Sequence, residues 1–255
     1  MRIRHHASLG LAATACLVLS GCTNAADWNA NRSSQIHSFD TSSIQAQPDI
    51  IAKLPQGALE DGVLDVAAST DYAPAEFLDP SGKAVGYDVD LTNAIAAVLG
   101  VKGTVHTAEF DSIIASIGSK YDAGISSFTV TPERTAEVDM TAYVNVGSRF
   151  NVQAGNPKDV DTSDHLNLCG RTIGVQVGTD QETAMRKAAD DCSDAGKDVL
   201  SVRSYSKQSE ATTGLVGGTI DATYSDSTVA GYAVELTDDQ IGTLGEVEDA
   251  SPQGV

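Results

Sequence analysis

Arg134 is where the sequence most plainly offers chemistry. It ends the run Thr131-Pro132-Glu133-Arg134, which reads as a helix start: a hydroxyl cap, a proline in the first turn, then an acid. An arginine in a first turn opposes the helix dipole, so helix stability alone does not explain it. Its planar fork suits two-point binding of a carboxylate, which lysine cannot reproduce. A second helix start, Thr179-Asp180-Gln181-Glu182, has the capping-box form. Unpaired N–H groups there can receive the other side of an anion, although plain capping would use the same residues. Asp226 precedes Ser227 and is either a helix cap or an acceptor for a cation. No nucleophile elbow, zinc motif or Walker loop is present. No Cys/His cluster has metal-ligand spacing, and His106 and His165 are isolated. A binding module is therefore expected in preference to an enzyme, without metal or cofactor.

The N-terminus predicts export. Arg2 and Arg4 precede an uncharged, mostly apolar run from Leu9 to Leu19, which ends in Leu19-Ser20-Gly21-Cys22. That is the pattern of a secretory signal, too short to be read first as a spanning helix. The cysteine after Leu-Ser-Gly resembles a bacterial lipobox, which implies a signal over residues 1–22 and lipidation of Cys22. Several acyl chains would hold the protein stably at the outer face of a bacterial membrane, in the periplasm or at the cell surface. Residues 23–60 are rich in Asn, Ser, Gln, Ala and Asp; they read as a flexible tether containing His37, too polar to offset the entropy of ordering.

About 230 residues remain after the signal, enough for one large or two small domains. With 35 acidic against 16 basic residues the formal net charge is −19. Such a surface repels phosphate backbones and excludes nucleic acid as a partner; the excess acid serves solubility. Cys169 and Cys192 remain as a pair in an exported chain, where disulfides persist. They are either bonded, for a gain of about 3 kcal/mol, or two buried thiols.

From Gly62 onward strands and helices alternate. Leu64–Ala68 predicts a buried strand, and a helix follows from Asp88 with Leu91, Ile95, Val98 and Leu99 on one face and Gly100 as its stop. Val101–His106 reads as a strand, Asp111 as the cap of a short helix, and Ala123–Phe128 as another strand. A second unit repeats the order: Arg171–Val177, the helix from Thr179, Val199–Tyr205, Glu210–Val216, Thr219–Ser225 and Ser227–Val234. Alternation of this kind implies an α/β fold with mostly parallel pairing. The units echo each other: Val66-Ala67-Ala68-Ser69-Thr70-Asp71 parallels Val175-Gln176-Val177-Gly178-Thr179-Asp180, and Tyr121-Asp122-Ala123 parallels Ile220-Asp221-Ala222. Two similar lobes are expected, with polar turns at the carboxyl ends of their strands facing one cleft. Ser251-Pro252-Gln253-Gly254-Val255 reads as the beginning of a strand.

These residues carry a family resemblance. Tyr72-Ala73-Pro74, Val85-Gly86-Tyr87-Asp88-Val89-Asp90-Leu91, Lys120-Tyr121-Asp122-Ala123, Ser126-Ser127-Phe128-Thr129-Val130-Thr131-Pro132-Glu133-Arg134 and Ile173-Gly174-Val175-Gln176-Val177-Gly178-Thr179 resemble, as an ordered set, the family 3 extracellular solute-binding proteins. These serve ABC importers of polar amino acids and opines. The resemblance spans about Leu64 to Val255. It implies a two-lobe, periplasmic-binding-protein-like fold of type II: lobe 1 over residues 61–149, lobe 2 over 150–245, and a return segment over 246–255. The family's C-terminal helices of lobe 1 are not found in this sequence, so a truncated lobe 1 is expected.

It also implies a ligand site. Arg134 corresponds to the arginine that grips an amino acid's α-carboxylate, aided by the helix start at Thr179 and Asp180. Asp226 corresponds to the acid that receives the α-ammonium. Ser127 and Thr129 correspond to positions touching these two ligand groups, while Tyr72 and Phe110 correspond to aromatics flanking the ligand side chain. Gln176 and Ser69 occupy positions that meet that side chain; where many members carry aspartate, Ser69 has no charge for a cationic one. The implied partners are an amino-acid ligand and an ABC permease with its ATPase, and a monomer is expected. A cyclohexadienyl dehydratase on the same fold, with Asp71 or Glu76 as general acid, and an extracellular sensor module are the alternatives.

Overall fold

The computed structural model of the chain describes residues 38–255. The expected signal, the lipid site Cys22 and the first part of the tether lie outside the described residues. Residues 38–62 carry a 3-10 turn (Thr41–Ser43) and a one-turn helix, α1 (Pro48–Ile51). They lie along the helix α2 (Tyr87–Leu99). The Gln47 N–H donates to the Val98 carbonyl at 2.8 Å, satisfying one of the last carbonyls of α2, and the Phe39 N–H donates to Asp90 at 2.7 Å.

In the first half of the fold β1 (Val63–Ala68) runs parallel between β5 (Lys102–Thr107) and β6 (Ala123–Gly124). Flanked on both sides, β1 buries Leu64, Val66, Ala67 and Ala68, as an apolar central strand should. A small antiparallel sheet, β2 (Asp71–Tyr72), β3 (Glu76–Leu78) and β4 (Ala84–Val85), leads into α2. That helix ends where Gly100 turns left-handed, at φ 71°. Its fully buried positions are Asp88, Val89, Thr92 and Ala96. The face expected at Leu91 and Ile95 packs only at the margin of the cluster formed by Leu64, Val66, Ala96 and Ile125. Small side chains at Thr92 and Ala96 let the helix approach the sheet closely, and this closeness decides which stripe is innermost.

Two local expectations are corrected. The short helix α3 (Phe110–Ile113) begins after Glu109, so Asp111 sits in its first turn and is not its cap. The strand expected over Ala123–Phe128 is broken: β6 ends at Gly124, and β7 (Phe128–Thr129) joins a different sheet. Ser127 between them adopts a positive φ of 50°, a kink that periodicity cannot show. The helix α4 (Pro132–Thr135) starts as expected, with the Thr131 hydroxyl accepting from the Arg134 N–H.

The second half is built on a six-stranded sheet of order β10-β9-β11-β8-β12-β7. Here β8 is Ala142–Gln153, β9 Thr172–Gln176, β10 Ser201–Tyr205, β11 Ala222–Asp226 and β12 Ile241–Gly254. Strands β9, β10 and β11 are parallel, whereas β8 and β12 pair antiparallel. Ser251–Gly254 is thus the end of a long strand. The expected boundaries at 149/150 and 245/246 fall within these two strands, the second beside the register shift between Leu244 and Glu248. At that shift the backbones touch: a Cβ on Gly147 would lie 2.4 Å from the Glu248 carbonyl oxygen, so only glycine fits. The helices are α5 (Asp180–Asp194), α6 (Gln208–Val216) and α7 (Ser227–Leu236). The largest core cluster gathers Phe150, stacked on Tyr224 with ring centroids 4.2 Å apart, with Leu168, Ile173, Met185 and Cys192.

Cys169 and Cys192 form a disulfide, with Cα atoms 5.6 Å apart and a sequence separation of 23. It fastens α5 near its C-terminus to the turn before β9. Replacing both cysteines by alanine is expected to cost about 3 kcal/mol, a fall in melting temperature of roughly 6–12 °C for a domain of this size. Thermal melts of the double variant, and of the parent with and without reductant, check this. An unchanged melt on complete reduction would refute it.

Candidate functional site

The carboxyl ends of the strands from both halves converge on one small cavity, lined by Tyr72, Phe110, Ser127, Thr129, Arg134, Thr179, Asp180, Gln181 and Asp226. Eight of the ten expected ligand residues are in this lining. Ser69 and Gln176 are not; they lie beside it and join the two halves, the Gln176 amide donating to the Ser69 hydroxyl at 3.1 Å and to the Ser206 carbonyl. The cavity has closed to about 10 Å³, room for roughly one water. A larger groove of about 690 Å³ elsewhere is lined by Asp159, Asp161, Glu246 and Glu248 and by no cationic residue. It therefore offers an anion no cationic partner.

Arg134 is positioned from three sides. Its Nη1 donates to the Thr129 carbonyl at 2.8 Å and its Nη2 to the Gly178 carbonyl at 3.0 Å. The guanidinium lies 5.5 Å from the ring centroids of both Phe110 and Phe128, which stack on each other at 4.8 Å. Stacking on aromatic faces holds the fork flat while leaving N–H donors unspent. Burial pulls its pKa down, and Asp180 and Asp226 oppose that shift. Phe128 was not foreseen as part of the site; in a strand-like run an aromatic reads as core.

Gly178 allows the two halves to meet. Its φ is 77°, and an added Cβ would lie 2.8 Å from Asp111 Cβ. The capping box then forms in a shifted version. The Thr179 hydroxyl accepts from the Glu182 N–H, while Glu182 reaches back to the Gly178 N–H at 2.7 Å. The Thr179 hydroxyl itself donates to the Gln176 carbonyl. Thr179 is therefore occupied as a cap, and what this helix start can offer a ligand is backbone N–H. Asp180, in the same first turn, is exposed on the cavity rim.

Asp226 precedes α7 but makes no capping bond to it. Its two carboxylate oxygens are held by amides instead: Gln181 Nε2 at 2.8 Å and Gln253 Nε2 at 2.6 Å. Its own N–H donates to the Tyr72 hydroxyl at 3.2 Å, across the two halves. Burial pushes its carboxyl up to about 7, against the pull of Gln253, Gln181 and Tyr72. A nearly buried acid with no basic partner of its own is costly unless something cationic joins it. Gln181 and Gln253 were missed from the sequence because glutamine at a helix start or strand end carries no distinctive signal. Asp71 and Glu76 do not line the cavity. The Glu76 side chain is sealed with 0% exposure, and Asp71 faces the Ser209 N–H and hydroxyl at 3.4 Å.

Among the described residues no cluster of His, Cys, Asp and Glu could hold a metal, and no helix is long and apolar enough to cross a membrane. Two α/β halves closing on a cavity with a guanidinium and a buried carboxylate define a solute-binding protein. The chain belongs to family 3 of the bacterial extracellular solute-binding proteins, whose model matches residues 64–235. It is similar to the arginine-binding protein ArgT of Corynebacterium glutamicum, 31% identical over 251 residues, covering 97% of this chain and 79% of that protein. It is also similar to the L-cystine-binding protein TcyJ of Escherichia coli K12, 30% identical over 198 residues, 77% of this chain and 71% of that protein. Among solved structures, an ancestral arginine-binding protein bound to arginine superposes with a TM-score of 0.69 at 34% identity, covering 76% of this chain and 83% of that chain.

Proposed function

We propose that this protein captures a polar amino acid between its two halves and delivers it to an ABC permease, as the substrate-binding component of an importer. The observation that carries this reading is the opposition of Arg134 and Asp226 across one cavity. A free amino acid presents a carboxylate and an ammonium on one carbon, and a buried site must pair both. Arg134 takes the carboxylate with backbone N–H groups at the start of α5, and Asp226 takes the ammonium. Tyr72 and Phe110 flank the ligand side chain, while Ser69 and Gln176, bonded to each other beside the cavity, become available to its polar end only when the halves separate.

The closed cavity admits no amino acid, so entry requires the halves to separate. The paired strands β8 and β12 run through both halves and are the natural hinge. Ligand drives closure because its two charges contact opposite halves, a difference between open and closed states. The protein acts as a monomer, exported and tethered by a lipid on Cys22. The names of the relatives bring arginine and cystine forward as ligands to try. Catalysis is disfavoured: neither Glu76 nor Asp71, the acids a dehydratase would call on, reaches the cavity.

A thermal-shift screen of the mature protein against the amino acids and a few opines tests this. A ligand at ~100 times its dissociation constant is expected to add about 2.7 kcal/mol, or roughly 5–10 °C. Folded, ligand-free protein that shifts with none of them would refute the amino-acid reading.

A further inference from the structure

Behind the cavity wall lies a carboxyl group that the binding reading leaves unexplained. Glu76, on β3, is 0% exposed. One of its oxygens, Oε1, accepts from the Ser126 hydroxyl at 2.5 Å, and that hydroxyl in turn accepts from the Ser69 N–H at 2.9 Å. The other oxygen, Oε2, has no donor at all. Asp88, at the start of α2, is 1% exposed and is well supplied: Oδ2 accepts from the Ser127 N–H and hydroxyl, and Oδ1 from the Tyr143 hydroxyl at 2.6 Å. The two carboxyl groups are within hydrogen-bonding reach of each other. Two buried carboxylates cannot both stay ionised at such range, and one resolves the conflict by keeping its proton. Asp88 has three donors that favour its charge; Glu76 has an oxygen that only its own proton can satisfy.

We propose that Glu76 is a neutral carboxylic acid that donates its proton to Asp88 and, through Ser126 and Ser127, positions the wall of the ligand cavity. This rests on the binding function proposed above. Asp88 pins the positive-φ turn at Ser127, a cavity residue, and Glu76 holds the Ser126 hydroxyl that fixes the backbone at Ser69. Both sides of the wall thus depend on one shared proton. The other titratable groups facing Glu76 are Tyr72 from β2, Tyr87 from α2, Tyr143 from β8 and Asp226 at the end of β11. None is a cation, so nothing nearby favours ionised Glu76. Burial and Asp88 push its carboxyl well above the ordinary range.

Sign decides the test. A carboxyl kept protonated in the fold but ionised in the unfolded chain costs stability increasingly as pH rises above the unfolded value. Glu76→Gln, neutral at every pH and still a donor to Asp88, escapes that cost. In the full mature chain the Gln variant is expected to melt several degrees above the parent near about pH 8, the gap closing towards about pH 4.5. It is expected to retain amino-acid affinity close to the parent's. Glu76→Leu, which strands the Ser126 hydroxyl and takes one donor from Asp88, is expected to lose about tenfold in affinity. A Gln variant that melts below the parent at both pH values, or loses affinity as the Leu variant does, would overturn the proposal. If the parent itself binds no amino acid, the binding reading fails, while the melts still decide where the proton lies.

Discussion

Arg134→Ala is expected to weaken amino-acid binding by roughly 30- to 5,000-fold, because truncating one partner of a buried charge pair costs about 2–5 kcal/mol. The lower end of that range allows for the partial exposure of the side chain. The size of the loss follows from what is left behind. Without the guanidinium, the ligand carboxylate enters a closed cavity with only backbone N–H groups to meet it, beside the exposed acid Asp180. Arg134→Lys is expected to recover only part of the loss, since an ammonium makes a single point contact where the fork makes two. Arg134 also ties Thr129 to Gly178 across the halves, so the ligand-free melt must be measured alongside. Isothermal titration with the ligand found by the screen gives the affinity. An unchanged dissociation constant in the alanine variant would remove Arg134 from the site.

Asp226→Asn is expected to abolish binding and, in the same protein, to raise the ligand-free melting temperature. The fold holds this carboxyl at about 7, while an unfolded aspartate titrates near about 3.9. The raised value means that the ionised form is penalised in the fold. The penalty is absent below the unfolded value, grows as pH rises to about 7, and is constant above it. At neutral pH it amounts to about 4 kcal/mol. Asparagine removes it but can accept only one of the two amide donors from Gln181 and Gln253, which returns about 1–2 kcal/mol of cost. A net gain of about 2 kcal/mol, or roughly 4–8 °C, remains at neutral pH, vanishes near about pH 5 and turns into a loss of about 1–2 kcal/mol below about pH 4. A residue kept for stability would show the reverse. If Asp226→Asn melted lower at neutral pH and still bound ligand, the acid would be structural and the ammonium site would lie elsewhere.

Much of this was legible in the chain because the signals are local. Thr131-Pro132 caps a helix wherever it lies, and Arg134 one turn on is conspicuous because it opposes the dipole. Thr179 with Glu182 marked α5, and Gly100 marked the end of α2. The choice for Asp226 between helix cap and cation acceptor stayed open in sequence terms, since both roles need an acid just before a helix. The structure takes away the capping role: the carboxylate bonds to Gln181 and Gln253 and leaves the helix start alone. Gln181 and Gln253 could not be found, because each acts through partners distant in sequence, and Phe128 could not, because an aromatic in a strand-like run reads as core.

The sequence by itself determined the alternation of strands and helices, the two-unit plan and the residue types at the ends of the strands, all of which follow from periodicity, capping and turn chemistry within a few residues. Only the tertiary structure decided which of those residues meet. It broke the strand at Ser127, where buried Asp88 from another element supplies the hydrogen bonds that stabilise the kink. It brought Arg134 and Asp226, 92 positions apart in the chain, to one cavity. It also placed Glu76 against Asp88 without a cation. Such pairings depend on burial and on distances between elements, which charge and desolvation make decisive and which no local pattern encodes.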